Sequence, residues 1–408
     1  LYMSAMLLFC IGLMPGFPFL FFTASAASLG FIAYTIQKKY GEEEALRVAK
    51  EAAEKDTNSA YAEDTPEDLL KVDDIKLELG GALLQLIQSM DSALPTKVRS
   101  LRNVFAEEFG FILPKVNVRD ASDIDSEEYR ICIQGTVVAR GFIKPNHRMV
   151  ISPTRSQINL PGVKAVEPSF GLPVVWVEPE FSDQAEAQGF VVVEPDDVVV
   201  THLQEVLRDS MSDLMTYGAT KTLVDRLDRD YQKLVADMPA QNNSQITLVQ
   251  NVLRQLLNEK VSIKNLPLIV ESISEALSKS SNVDMISEHV RTKLCRQICE
   301  SLEDPETGNV PVIILNAEWE EILLRAVQRN GDSLSFMMEP DKVSEFKLAG
   351  KKALEPFAMR EEWPSVLVNE DLRRYVRDML ARVSPRTRVI SNQEIHRSAK
   401  PAIVAKIV

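Results

Sequence analysis

The sequence predicts a multi-domain α+β protein preceded by two transmembrane helices, and three features point that way. The first 36 residues hold no charged side chain, while the rest of the chain carries the whole net charge of -13. From about residue 75 to 218, strand alternation and helical periodicity are interleaved, as in an α+β domain. From 219 to 302 every segment reads as helix, and from 303 strands and helices alternate, as in a small α/β domain.

The elements follow in order. Phe17 to Ile36 supplies the ~20 apolar residues that cross a bilayer as a helix. Residues 1–14 read as the end of a preceding span, joined to it by the turn Pro15-Gly16-Phe17-Pro18. Leu1 is no initiator, so entry midway into a longer protein is expected. No basic run precedes the apolar segment, which disfavours a signal peptide. Lys38 and Lys39 follow the second span, and the positive-inside tendency places them and the rest of the chain in the cytosol. The four scattered cysteines then stay reduced thiols rather than a disulfide framework. The acidic balance argues against nucleic-acid binding.

Gly41 to Asp74 is charged and rich in Ala, Glu and Lys, with only a weak stripe of Ala45, Leu46, Ala49 and Ala53. A solvated linker is expected. Ile75 to Leu79 alternates as a strand, and Gly80-Gly81 breaks it before a helical run from Ala82 to Met90. Thr96 to Phe109 places Val98, Leu101, Val104, Phe105 and Phe109 on one helical face. Strands are expected at Lys115–Arg119, Tyr129–Gln134 and Thr136–Ile143, the last two paired through a turn at Gln134-Gly135.

The loop region Ser152–Val177 contains Val166-Glu167-Pro168-Ser169-Phe170-Gly171-Leu172-Pro173-Val174. Two prolines stiffen this turn, and Gly171 permits backbone angles that other residues resist. A rigid turn of this kind can hold an apolar ring at the surface beside a charge. The competing reading folds Phe170 back into the core. A short helix at Ser182–Gln188 and a strand at Gly189–Val193 follow. The next helix, capped by Asp196 and Asp197, runs to about Met215. Val199, Leu203, Val206, Leu207 and Leu214 share its inner face, which leaves Thr201 outside.

Four helices are expected at Thr220–Val235, Gln245–Asn258, Ile263–Leu277 and Val283–Leu302. Beyond them come strand Pro311–Leu315, helices Ala317–Gln328 and Asp341–Phe357, strand Val366–Val368, helix Asp371–Val383 and strand Thr387–Ile390. The basic, then apolar, tail has no assignment.

No phosphate-binding loop, dinucleotide glycine pattern or zinc-protease helix is present. Cys295 and Cys299 are spaced for two metal ligands, but no third ligand is evident and core thiols are expected. Thr201 and His202 sit side by side, yet helix neighbours point about 100° apart, which disfavours a nucleophile–base pair. Trp176 and Trp319 read as core or junction aromatics. No enzyme, cofactor or metal is expected.

Three stretches carry a resemblance: Glu167-Pro168-Ser169-Phe170-Gly171-Leu172-Pro173, Gln184-Ala185-Glu186-Ala187-Gln188-Gly189-Phe190, and Val199-Val200-Thr201-His202-Leu203. With them the chain resembles the FlhA-type export-gate family of type III secretion, from residue 1 to about 396. The intact Phe170-Gly171-Leu172-Pro173 is closer to the flagellar than to the injectisome branch.

The resemblance implies two membrane helices (1–37) and a linker (38–75) that packs on a neighbouring subunit. It implies a first α+β domain (76–151 and 202–218) with an inserted small domain (152–201). A helical domain (219–302), a C-terminal α/β domain (303–396) and a tail (397–408) complete the division. It also implies a multi-pass protein of the bacterial inner membrane with a cytoplasmic, nonameric ring.

The implied partners are export chaperones with late substrates, the export ATPase complex with its stalk subunit, and other membrane gate subunits. The implied docking residues are Glu167 as orienting charge, Phe170 and Leu172 as buried anchor, Thr201 as a nearby hydroxyl, and Ile151 and Pro153 as apolar neighbours. Many flagellar relatives carry Asp where Glu167 stands. Phe170→Ala or Glu167→Lys is then expected to remove chaperone binding and spare folding. The alternatives are the injectisome gate and, in another class, a solute transporter with a regulatory domain.

Overall fold

Alternating apolar and charged residues build the first strand, β1 (Ile75–Leu79), whose Ile75, Leu77 and Leu79 are buried. A computed structural model describes residues 72–88, 94–153, 156–239, 244–330, 333–358 and 362–408. The chain divides into two units, 1–72 and 73–408. The expected membrane helices and the linker through residue 71 lie outside the described residues. Among the described residues no helix is long and apolar enough to cross a membrane.

After Gly80 the chain makes a 3-10 turn and a short helical turn, Gln85–Gln88, before α1 (Leu94–Phe109). On α1, Val98, Leu101, Phe105 and Phe109 are buried as the periodicity predicts, but Val104 is exposed at the margin of the stripe. With β2 (Val116–Asp120), β3 (Glu128–Ile133) and β4 (Thr136–Phe142), β1 forms a four-stranded sheet in the order β2-β1-β3-β4. β1 and β2 run parallel across the α1 connection, and β3 and β4 form the expected hairpin. Its turn residues Gln134 and Gly135 have φ of 48° and 76°, the left-handed pair that matches strand twist.

A second four-stranded sheet has the order β6-β7-β5-β8. It comprises β5 (Arg148–Ile151), β6 (Val163–Val166), β7 (Pro173–Val177) and β8 (Val191–Val193). Two of these strands lie within the stretch expected to be loop, because the Glu167–Leu172 turn is the tip of a β6–β7 hairpin. One face of the sheet places Met149, Val174 and Trp176 against the main core. The other buries Val150, Val175 and Val177 with Ile158, Leu160 and Ala185 of α2 (Ser182–Ala187) in a small core of its own.

The helix after β8 is α3 (Pro195–Asp209), and it breaks at Ser210 before α4 (Met211–Leu214) instead of continuing to Met215. Glu194 stands at its N-cap without a side-chain cap, so Asp196 and Asp197 do not cap it. They sit in its first turn and both pair with Lys97 of α1, at 2.9 and 2.5 Å. Carboxylates there suit the positive end of the helix dipole.

The helical run contains α5 (Tyr217–Asp225), α6 (Arg229–Ala236), α7 (Gln245–Asn258), α8 (Leu266–Leu277), α9 (Val283–Lys293) and α10 (Cys295–Glu300). Two of the four expected helices are therefore each divided. At the first break, the Gln232 amide donates to the carbonyls of Asp225 and Leu227 (2.9 and 2.7 Å), satisfying groups that a continuing helix would have bonded. The second break falls at Leu294.

The C-terminal sheet is parallel throughout, in the order β13-β12-β9-β14. It comprises β9 (Val310–Leu315), β12 (Ser365–Val368), β13 (Val389–Ser391) and β14 (Pro401–Ile407). Thus the tail that the sequence left unassigned is an edge strand beside β9. Helices α11 (Ala317–Ala326), α12 (Pro340–Ala358) and α13 (Arg373–Leu380) accompany the sheet. The expected helix through Gln328 ends at Ala326, where a small hairpin of β10 (Val327–Asn330) and β11 (Ser333–Phe336) begins.

Buried charges join the helical run to this sheet. Arg373 of α13 donates to both carboxylate oxygens of Glu259 (2.5 and 3.1 Å) and to Glu288 of α9. Arg291 of α9 donates to both oxygens of Glu394 (2.8 and 2.9 Å). Burial alone would raise the Glu259 pKa, but the Arg291 and Arg373 guanidiniums outweigh it and hold the group at about 2, below its ordinary 4.5. The depressed value means that Glu259 stabilises the fold fully above pH ~4.5, and that this contribution vanishes as pH falls to about 2. The loss is on the order of 3 kcal/mol. Thermal melts across that window should show a fall in midpoint that Glu259→Gln makes shallower, the remainder coming from other depressed carboxylates such as Glu275 and Asp304. A fall as steep in that variant as in the unsubstituted chain would contradict the Glu259 contribution.

Candidate docking site

The hairpin turn between β6 and β7 is held by its own first residue. The Glu167 carboxylate accepts from the backbone N–H of Ser169 (2.8 Å) and of Phe170 (2.6 Å). Its backbone N–H donates to Leu172 O, and its carbonyl accepts from Gly171 N–H. Gly171 has φ +68° and open space around it, so glycine serves the backbone angle there and not a close approach. Glu167 is only 3% exposed. Glu167, expected as an orienting charge beside the ring, is therefore a buried acid that builds the turn, because charge-assisted bonds to backbone N–H groups hold it inside. A lysine at this position would remove both acceptors and set an ammonium donor among backbone N–H donors, so Glu167→Lys would disturb the turn itself.

The ring presented by this turn lies at the surface. Phe170 is 45% exposed, so it does not fold back into the core. The Arg386 guanidinium lies 4.6 Å from its centroid and 5.5 Å from that of Trp363, which is 37% exposed. Arg386 also approaches the Glu205 carboxylate of α3 at 3.6 Å. A cation shared by two aromatic faces thus bridges the β6–β7 turn to the segments that precede β12 and β13, and its other partner is on α3.

The remaining expected residues fall as follows. Leu172 is partly buried at the base of the turn and Pro153 is exposed. Ile151 ends β5, opposite Val174 on one side and Val191 on the other, and is partly buried. Thr201 is partly exposed on α3, in line with its expected face. His202 turns inward, 6% exposed, with Nδ1 2.7 Å from the hydroxyl of fully buried Tyr129. Burial lowers the imidazole pKa, partly opposed by the Glu167 charge. It raises the phenol well above its usual range, and Glu167 adds to that.

Sequence reading missed Arg386, Trp363 and Tyr129. All three are remote from the turn along the chain, and none sits in a motif. Of the two expected core thiols only Cys299 is buried, its Sγ donating to Glu394 O at 3.2 Å and accepting from His396 N–H at 3.3 Å, while Cys295 is half-buried. Trp176 lies in the core, and Trp319 packs edge-on to Phe346 at 5.3 Å. Among the described residues no group of His, Cys, Asp and Glu is placed to hold a metal ion.

Similarity to known proteins agrees with this architecture. The flagellar biosynthesis protein FlhA of Caulobacter vibrioides is 34% identical over 97% of this chain and 56% of its own length. Those of Bacillus subtilis and Salmonella typhimurium are 30% and 31% identical, over 97% and 96% of the chain and 58% and 56% of their lengths. The chain therefore spans somewhat over half the length of these relatives. Among solved structures, the Chlamydia pneumoniae CdsV protein superposes with a TM-score of 0.73 at 23% identity, over 84% of this chain and 100% of that one. The nonameric EPEC SctV-C superposes with a TM-score of 0.65 at 18% identity, over 83% and 99%. Both show the same mixed α/β fold. The profile of the FHIPEP family matches residues 1–400, up to the start of β14, and the chain accordingly belongs to the FHIPEP family.

Proposed function

We propose that this chain is part of the membrane export gate of a flagellar type III secretion apparatus, and that the Phe170 turn docks export chaperones loaded with late substrates. One observation carries the docking assignment: a half-exposed phenyl ring stands on a turn whose shape is locked by its own buried acid. A preorganised aromatic anchor loses little freedom on binding, which is how hot-spot residues gain their weight.

Phe170 and Leu172 supply the apolar contact, Ile151 and Pro153 extend it, and Thr201 lends a hydroxyl from α3. Glu167 acts indirectly, by holding the turn. The described domains assemble as a cytoplasmic ring, nonameric by likeness to the family, behind membrane helices in the bacterial inner membrane. The ring works with the export ATPase complex, its stalk subunit and other gate subunits. The chain itself transforms no substrate and needs no cofactor, and its acidic surface has no role with nucleic acid. Protein movement is driven through the assembled gate by the proton-motive force.

Titration of the full chain with a chaperone–filament-protein complex in a calorimeter tests the docking step. Saturable binding is expected. Arg386→Ala should strengthen it about two- to fivefold, because cargo then no longer competes with a cation worth about 0.5–1 kcal/mol on the ring. Absence of saturable heat from the wild-type chain would sink the docking assignment, and weaker binding by Arg386→Ala would recast Arg386 as a cargo contact.

A further inference from the structure

In a chain of net charge -13, the segment from Ile395 to Val408 holds no acidic residue and carries the cations Arg397, Lys400 and Lys406. All three residues are exposed, and none of their side chains forms an ion pair or hydrogen bond with the described residues. Lys400 precedes β14 and Lys406 lies within it. β14 is the outer strand of the parallel sheet and pairs with β9 alone. An outer strand turns one row of backbone N–H and C=O groups away from its sheet.

The side chains along this edge are apolar as well as basic. Ile403 is 60% exposed and Val404 44% exposed. Ile403 stands opposite fully buried Val312, so the apolar face buried over β9 continues uncovered onto β14. Lys406, opposite Ile314, shares that face. Outer strands are commonly guarded by charge and by bulges, and β14 has both: Lys406, and a register shift between Ile403 and Ala405. The charge is a selective guard. A second copy of β14 laid beside the first would set cations against cations, whereas an acidic strand would meet them favourably. The shift divides the edge into two short runs, 401–403 and 405–407, which suits a short partner segment.

We propose that the outer edge of β14 takes an acidic, extended segment of another protein as an added strand. Backbone hydrogen bonds to the free edge supply the affinity, Ile403 and Val404 meet its apolar side chains, and Lys400 and Lys406 meet its carboxylates. Such an edge reads main-chain geometry and charge pattern instead of one particular sequence. It uses no residue of the Phe170 turn, so it stands or falls separately from the docking assignment.

Fluorescence anisotropy of the full chain in detergent micelles, with a labelled seven-residue peptide of alternating glutamate and valine, tests it. Saturable binding is expected, weakening as salt is raised. The same peptide with lysine in place of glutamate should not bind. Neither should the glutamate peptide N-methylated throughout, which keeps its charges and loses its N–H donors. Lys406→Glu should weaken binding about three- to tenfold, the scale of reversing one exposed cross-strand pair, with the melting midpoint unchanged. At saturation, hydrogen–deuterium exchange of the 401–408 amides should slow.

Absence of saturable binding overturns the proposal. So does equal binding of the lysine or the N-methylated peptide, or an affinity that Lys406→Glu leaves unchanged. Binding without slower exchange at 401–408 places the peptide elsewhere and also overturns it. Protection of these amides before any peptide is added would give the edge to another occupant: a second copy if it rises with protein concentration, a segment of the same chain if it does not.

Discussion

Phe170→Ala should weaken binding of a chaperone–filament-protein complex by about thirtyfold or more, since truncating a central aromatic anchor costs about 2 kcal/mol or more. The fold should barely respond. The ring is 45% exposed, and its recorded partner is the Arg386 guanidinium, a contact worth under about 1 kcal/mol at an exposed site. Calorimetric affinity beside a thermal melt distinguishes the two effects. A large drop in melting midpoint would mean that the ring is a packing residue, and unchanged affinity would remove it from the interface. Glu167→Ala is the informative contrast. It should lose binding together with local order, because the Ser169 and Phe170 N–H groups lose their acceptor.

That contrast also shows where sequence reading reached its limit at the site. The two prolines and Gly171 made a stiff turn legible, and the Phe170 ring is at the surface as that stiffness suggested. The role of Glu167 was not legible. An acid beside an apolar ring reads as an exposed charge, but here the side chain folds back on the two N–H groups that follow it. Short acids at helix N-caps and Asx turns do the same, and a glutamate in a six-residue turn gives only a faint version of that signal. Arg386 and Trp363 reach Phe170 through tertiary packing, so no local pattern could announce them.

The fold shows the same division between local and non-local information. β1, α1 and α7 follow from periodicity alone, because each buries one regular face against the core. Helices were misjudged where a side chain or a cap terminates them against their apolar period, at Gln232 and at Leu294. The strand β14 was invisible for another reason. Only Ile407 at its end is buried, and its assignment comes from parallel pairing with β9 across the intervening α/β unit. Parallel partners are distant in sequence by construction, since their connection must cross the sheet.

Arg373→Met should have the largest effect on stability. Arg373 is 1% exposed, and its five N–H donors are spent on Glu259, Glu288 and the Val389 carbonyl, with Glu394 at 3.6 Å. Two cations, Arg291 and Arg373, serve three carboxylates in this cluster, so removing one leaves buried Glu394 and half-buried Glu259 and Glu288 around a single guanidinium. Breaking such a group from one side costs about 3–5 kcal/mol, most of it the penalty for stranded charge and not the worth of the lost bonds.

The cost should therefore shrink when the stranded charge is removed as well: Arg373→Met with Glu259→Gln and Glu288→Gln is expected to recover most of it. The cluster joins the helical run to the parallel sheet, so the single substitution should also separate their melting, the sheet unfolding first. Scanning calorimetry reads both effects. A single unshifted transition for Arg373→Met would show that apolar packing alone carries this junction. Failure of the triple substitution to recover would place the energy in the hydrogen-bond geometry instead of the buried charge.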